Sequence, residues 1–123
     1  VSAPVPAVPA APAPGVSVGL LDRLRAAALL QSAVAEALRD GDLTPDRWRC
    51  LAQVARQPGA SMSDLVETLV MAPATASRAV DGLVDQGLVY RGLDPADRRR
   101  VVLRASAEGR RLLAALEERL AGL

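Results

Sequence analysis

Between residues 17 and 40 apolar side chains recur at Leu20, Leu24, Ala27/Ala28, Val34/Ala35 and Leu38. That spacing predicts one long helix, stopped by Gly41. At 1.5 Å per residue it would extend about 36 Å, long for a small domain, so either it wraps the core or, the favoured reading, part of its stripe is covered by another chain. Thr44-Pro45 then reads as an N-cap followed by a first-turn proline. The helix they open runs to "QPG" at Gly59, with Trp48, Leu51, Ala52 and Ala55 as its inward face. Ser61 and Asp64 have capping-box spacing and start a short helix through Val70 that buries Leu65, Val66 and Leu69. A fourth helix is expected from Pro73 to Gln86, burying Ala76, Ala79, Val80 and Leu83, with Gly87 at its C′ position.

"LVYRG" and "RVVLR" read as two short strands joined by Leu93–Arg99, a connection longer than that of an ordinary hairpin. Ser106 caps a last helix with the stripe Leu112, Leu113, Leu116, Leu120 and Leu123. The order is four helices, a hairpin and a final helix. Two short adjacent helices followed at once by a hairpin make a helix-turn-helix carrying a wing. The fold expected is mainly α with a small β-hairpin: one winged helix-turn-helix domain over 17–123. Residues 1–16 are Pro/Ala-rich without periodicity and read as a disordered or polyproline-like tail. With no basic start and no continuous apolar run, that tail is not a signal peptide.

Composition removes most enzyme chemistry. The chain has no histidine and one cysteine, Cys50. A Ser-His-Asp triad, a Cys-His dyad, a histidine-bearing zinc site, a Cys₄ site and an intrachain disulfide are therefore excluded. Neither GxGxxG nor GxxxxGK[ST] occurs, and no stretch approaches the ~18 apolar residues of a membrane span. No catalysis, cofactor or metal is expected. Cys50 reads as a small buried filler; Arg47 and Arg49 would lower its pKa only if it were exposed. Trp48 and Tyr90, the only aromatics, read as core and strand packing. Asp81 and Asp85 stand i,i+4 on the fourth helix, and pairing with Arg78 or solvent is expected of them rather than acid–base work.

Charge carries the functional signal. All 15 basic residues are arginine and the net charge is only +1. Residues 91 to 104 nevertheless hold five arginines against Asp94 and Asp97. A basic patch on an otherwise near-neutral body suits a polyanion. In a helix-turn-helix the second helix enters the major groove, its N-terminal residues nearest the bases. That places Thr75, Ser77 and Arg78 against DNA, with serine and threonine on phosphates or base edges and arginine on guanine. Arg98, Arg99 and Arg100 on the hairpin tip would grip phosphates and the neighbouring minor groove. Asp97 would orient one guanidinium, that of Arg99.

From Leu43 to Leu113 the chain resembles the multiple-antibiotic-resistance regulators, the MarR family. The pieces are "LTPDRWRCL", "SMSDLVETL", "PATASRAVDGLVDQGLVYR", "DPADRRRVVL" and "SAEGRRLL", in that order and at matching spacing. The resemblance implies a cytoplasmic homodimer on a pseudo-palindromic operator, one recognition helix per half-site. It implies a repressor released by a small, often phenolic, ligand, or in some members by cysteine oxidation. Thr75, Ser77 and Arg78 would then take the recognition positions, and Arg99 would be the wing-tip arginine held by Asp97. Residues 44–104 would form the DNA-binding lobe and 17–40 and 106–123 the dimerisation helices.

Three departures stand out. Ala72 sits where the family often has a Ser or Thr cap, Val70 where glycine is common, and one C-terminal helix follows the wing where the family uses two. A winged helix that binds a protein partner instead of DNA is the alternative these departures leave open.

Overall fold

The computed structural model of the protein describes residues 16–123. The tail expected over 1–16 lies, up to residue 15, outside the described residues, and Val16 already begins a helix. The order is α1 (Val16–Leu38), α2 (Pro45–Arg56), α3 (Met62–Leu69), α4 (Pro73–Asp85), β1 (Val89–Leu93), β2 (Val101–Ala105) and α5 (Ala107–Leu120). The helix-turn-helix with its wing is present in the expected order. Two units divide the chain, the first ending at Ala33 and the second running from Val34 to Leu123.

Within the first unit α1 exposes Val16, Val18, Leu20, Leu21, Leu24, Leu29 and Leu30, so the Leu20 and Leu24 end of the predicted stripe is exposed, whereas in the second unit Leu38 is buried and Val34 is half-buried against the core. The helix ends at Leu38, two residues short of the expected end at Asp40. Asp40, not Gly41, adopts the left-handed conformation (φ 65°), which a short polar side chain tolerates. Gly41 N then donates to the Leu38 carbonyl.

The second unit is built on helix ends that the chain caps itself. Thr44 accepts from Arg47 N, and Ser61 and Asp64 form the reciprocal capping box at the start of α3. Ser106 accepts from Gly109 N at the start of α5. Each satisfies amide donors that a helix N-terminus leaves unpaired. Its core is aliphatic: Leu51, Val54, Leu65, Val80, Leu83 and Leu103, with Cys50, have no appreciable exposure. Burying each such side chain contributes ~1.5–3 kcal/mol.

On α2 the inward face is rotated from the one expected. Cys50, Leu51, Gln53 and Val54 are buried, whereas Trp48, Ala52 and Ala55 are half-buried. The helix packs against α3 and α4 on one side and α5 and β2 on another, so a single stripe does not describe it. On α4 the four expected residues Ala76, Ala79, Val80 and Leu83 are buried. On α5 Leu116 is buried, Leu112, Leu113 and Leu120 are half-buried, and Leu123 lies beyond the helix end and is exposed.

The strands pair antiparallel, Val89 opposite Ala105 through Leu93 opposite Val101, each one residue later than expected. An isolated bridge from Ala60 to Leu103 docks the root of β2 beside α3. Val89, Leu103 and Ala105 bury the root of the hairpin, while Leu93 and Val101 at its far end are exposed. Tyr90 is 50% exposed and belongs to the wing's outer surface, a correction to its expected packing role.

Candidate nucleic-acid interface

The segment joining α3 to α4 is set by an unusual residue. Val70 has φ 51° and ψ 51°. Its N–H donates to Glu67 O, and Met71 N donates to Val66 O. This is the Schellman pattern that glycine ordinarily completes, here with a β-branched side chain pointing into solvent. Arg49 on α2 reinforces the same helix end, donating from Nη2 to the Leu69 carbonyl at 2.5 Å.

The start of α4 is less firmly closed. Ala72 is its N-cap and makes no side-chain hydrogen bond, and Pro73 occupies the first helical position. Ala76 N donates to Ala72 O, so the first-turn amides of Ala74 and Thr75 are left without an intrahelical acceptor. Such amides, at the positive end of a helix dipole, favour an anion. Ser77 and Arg78 are exposed one turn on, and Thr75 is half-buried. Beside Ser77 and Pro73 a shallow depression is lined by Met62, Ser63 and Val66 of α3. At the far end Gly87 (φ 72°) closes α4, with Leu88 N on Leu83 O and Gly87 N on Val84 O.

The wing tip, Asp94–Arg100, is pinned by its own backbone. Asp94 N donates to Arg100 O (2.9 Å), Asp97 N to Asp94 O (3.2 Å) and Arg100 N to Asp97 O (2.9 Å). Two Asx turns lie inside it, Asp94 Oδ1 accepting from Ala96 N and Asp97 Oδ1 from Arg99 N. Asp97 Oδ1 also accepts from Arg99 Nε at 3.3 Å. The contact expected between those two residues is therefore present, and it leaves the Arg99 side chain 94% exposed. Arg98 and Arg78 are exposed and have no hydrogen-bond or ion-pair partner among the described residues.

Arg100 is placed differently from its two neighbours. Its Nη2 donates to Asp64 Oδ2 on α3 at 2.5 Å, and its Nη1 lies 3.9 Å from Asp94 Oδ2. Ser61 N donates to the same Asp64 oxygen at 3.0 Å. These hydrogen bonds, from Ser61 first and Arg100 second, hold the Asp64 carboxyl below its ordinary pKa. The root of the wing has a second tie, since Arg91 Nη2 donates to Asp81 Oδ1 on α4. Asp81 thus pairs across to the wing and not with Arg78 on its own helix. Neither tie was visible in the sequence, because each joins residues far apart in the chain.

On the opposite side of α2 an open groove of about 540 Å³ is lined by Trp48, Ala52, Ala55, Arg110, Leu113, Glu117 and Leu120 among others, within the size range of small-molecule sites. Cys50 lies on the core side of α2. Burial pushes its thiol up to about 11, with Asp46 adding to the rise and Arg49 opposing it. The pKa-lowering effect imagined for Arg47 and Arg49 is outweighed, and Arg47 reaches instead to Gln86 Oε1 at 3.2 Å. Among the described residues no helix is long and apolar enough to cross a membrane.

The sequence profile of the MarR family matches residues 41–100, from the turn after α1 to the tip of the wing, short of β2. The transcriptional regulator HosA of Escherichia coli O111:H- is 36% identical over 74 residues, which are 60% of this chain and 55% of HosA. The chain spans about half the length of the curated relatives it matches. Among solved structures, CouR from Rhodococcus jostii RHA1 bound to p-coumaroyl-CoA superposes with a TM-score of 0.77 at 30% identity, covering 87% of this chain and 75% of CouR. A MarR-family transcriptional regulator from Rhodococcus sp. RHA1 gives a TM-score of 0.75 at 29% identity, covering 88% and 77%. These relatives are regulators and not enzymes. In motif order, in fold and in sequence, the chain belongs to the MarR family of winged-helix transcriptional regulators.

Proposed function

We propose that the chain works in the cytoplasm as a homodimeric repressor that binds a pseudo-palindromic operator, with one α4 in the major groove of each half-site. Residues 44–104 are the DNA-binding lobe, and 17–40 and 106–123 supply the dimer contacts. Thr75, Ser77 and Arg78 face base edges and adjacent phosphates. Arg98 and Arg99 at the wing tip take phosphates and the neighbouring minor groove. The observation that carries this reading is the wing itself. It is tied to both helices of the helix-turn-helix, through Asp64 and Asp81, while Arg98 and Arg99 stay unburied at its tip. Arginines held out in this way match a polyanion better than they match a structural turn.

The exposed leucines of α1 provide apolar surface for a second copy. The groove on α2 and α5 offers a place for a small effector, and CouR was solved with such a molecule, p-coumaroyl-CoA, bound. Binding there would release the operator if the effector favours a dimer geometry that mismatches the half-sites.

Two substitutions test the assignment on duplexes tiled through the region upstream of the gene. Arg99→Ala removes one phosphate contact per protomer and should lower the salt slope of binding by ~1.8 for the dimer. Arg78→Ala should instead relax preference at one base position, by about 1–3 kcal/mol. If neither changes affinity, the interface lies elsewhere and the protein-partner reading takes its place. Sedimentation that shows only monomer at micromolar concentration would remove the two-half-site arrangement.

A further inference from the structure

Arg100 looks like the third member of a phosphate-binding cluster, but its surroundings separate it from Arg98 and Arg99. Its guanidinium bridges two carboxylates, Asp64 of α3 and Asp94 of its own loop. Asp64 is the N3 residue of the α3 capping box, so its position is set by the helix-turn-helix itself. One oxygen, Asp64 Oδ2, serves both the Ser61 amide and Arg100. The Arg100 backbone meanwhile closes the tip loop, accepting from Asp94 N and donating to Asp97 O. Asp97 is the residue that holds Arg99. A continuous chain of contacts therefore runs from the first turn of α3 through Arg100 and Asp97 to the exposed Arg99 guanidinium.

Resting on the DNA-binding reading above, we propose that Arg100 is a positioning residue and not a DNA contact. With Asp64 it latches the wing to α3 and so fixes where Arg99 stands relative to α4. The lowered pKa of Asp64 agrees with a carboxylate that stays charged in this role. The latch joins partly exposed groups, and an exposed ion pair contributes modestly. Its loss should therefore weaken binding by about fivefold per wing and leave the set of phosphate contacts unchanged.

The two roles predict opposite signs for Asp64→Asn. If Arg100 contacts DNA, Asp64 competes for it and adds negative charge beside the phosphates, so Asp64→Asn binds more tightly. If Arg100 is a latch, Asp64→Asn binds more weakly. The experiment is a set of salt-dependent titrations of the full chain on its upstream duplex, using wild type, Asp64→Asn, Arg100→Gln, the double variant, Arg100→Lys and Ser61→Ala. Ser61→Ala removes the side-chain cap of α3 but spares the ion pair, so it reports what loss of helix stability alone does. The folded fraction of each variant is checked by circular dichroism under the same conditions.

The latch predicts weaker binding for both single variants, an unchanged salt slope, and a double variant no worse than either single one. It also predicts partial recovery in Arg100→Lys and wild-type affinity in Ser61→Ala. Equal or tighter binding by Asp64→Asn, a slope lowered by ~1.8 in Arg100→Gln, or an equal loss in Ser61→Ala overturns it. A wild-type chain that binds no duplex overturns the DNA-binding reading itself, an outcome distinct from wild-type binding that Asp64→Asn leaves intact.

Discussion

Val70 holds a conformation that its side chain opposes, and replacing it with glycine should stabilise the protein. At φ 51° an L-residue brings its Cβ against the following carbonyl, at a cost of ~1–2 kcal/mol. A β-branched residue lies at the upper end of that range. Val70 is 90% exposed, so Val70→Gly forfeits almost no burial. Glycine returns ~0.5–1 kcal/mol through the greater freedom of the unfolded chain. The balance is a gain of about 1 kcal/mol, equivalent to a rise in melting temperature of ~4–8 °C for a domain of this size. Urea unfolding followed by circular dichroism measures it as a higher midpoint with unchanged slope. Val70→Ala keeps the left-handed Cβ and should move the midpoint much less. Gly87 supplies the reciprocal test, since it fills the same position at the end of α4 (φ 72°) with nothing within 4 Å of an added Cβ. Gly87→Val should lose about what Val70→Gly gains. A Val70→Gly midpoint equal to or below that of wild type would refute this reasoning, because no packing term is available to cancel the backbone relief.

Three further outcomes follow from the same geometry. Gly109→Ala places a Cβ 2.3 Å from the Leu88 carbonyl oxygen and 3.0 Å from Leu51 Cδ1. Since that carbonyl also accepts from Ser106 N, overpacking should cost ~1–3 kcal/mol in urea unfolding, and a neutral substitution would mean that α5 docks differently. Cys50, fully buried with its thiol pushed up to about 11, should stay unmodified by a thiol reagent at pH 7.5 until urea unfolds the chain, whereas rapid native labelling would place it at the surface. The carboxyl of Asp64 is lowered in the folded state, so its stabilising effect is present above the ordinary carboxylate pKa of ~3.9 and lost as pH falls through the folded value. Urea midpoints of wild type and Asp64→Asn should therefore differ most above that pH and converge in stronger acid; a gap that is constant with pH would assign the effect to shape and not charge.

Local rules wrote most of the fold into the sequence. The N-caps at Thr44, Ser61 and Ser106 and the closing glycine at Gly87 depend on residues three or four apart, and each is found as read. The buried face of α4 was legible because that helix meets the core along one stripe. The face of α2 was legible only in part: Cys50 and Leu51 are buried as read, but neighbours on more than one side also place Gln53 and Val54 in the core and leave Trp48 and Ala55 at the groove. Ion pairs show the same division. Asp97 and Arg99 lie two residues apart, and their contact could be anticipated. Asp64 and Arg100 lie 36 apart, and only the folded chain brings the capping box of α3 to the wing. Asp81 illustrates how a local rule misleads: helical spacing favours Arg78, but the hairpin delivers Arg91. Tyr90 is exposed because it follows the buried Val89 in β1 and so falls on the outward face of the strand.

The central claim is that α4 and the tip of the wing form a DNA-binding surface. The most direct measurement is the affinity of the full chain for a duplex from its own upstream region and for a scrambled duplex of equal length, titrated across salt. Contact with ~6–10 phosphates should lose 10³–10⁵ in affinity between 50 and 200 mM salt, with the upstream duplex preferred throughout. Equal, weak or salt-insensitive binding to both duplexes would contradict the account and direct the search to a protein partner.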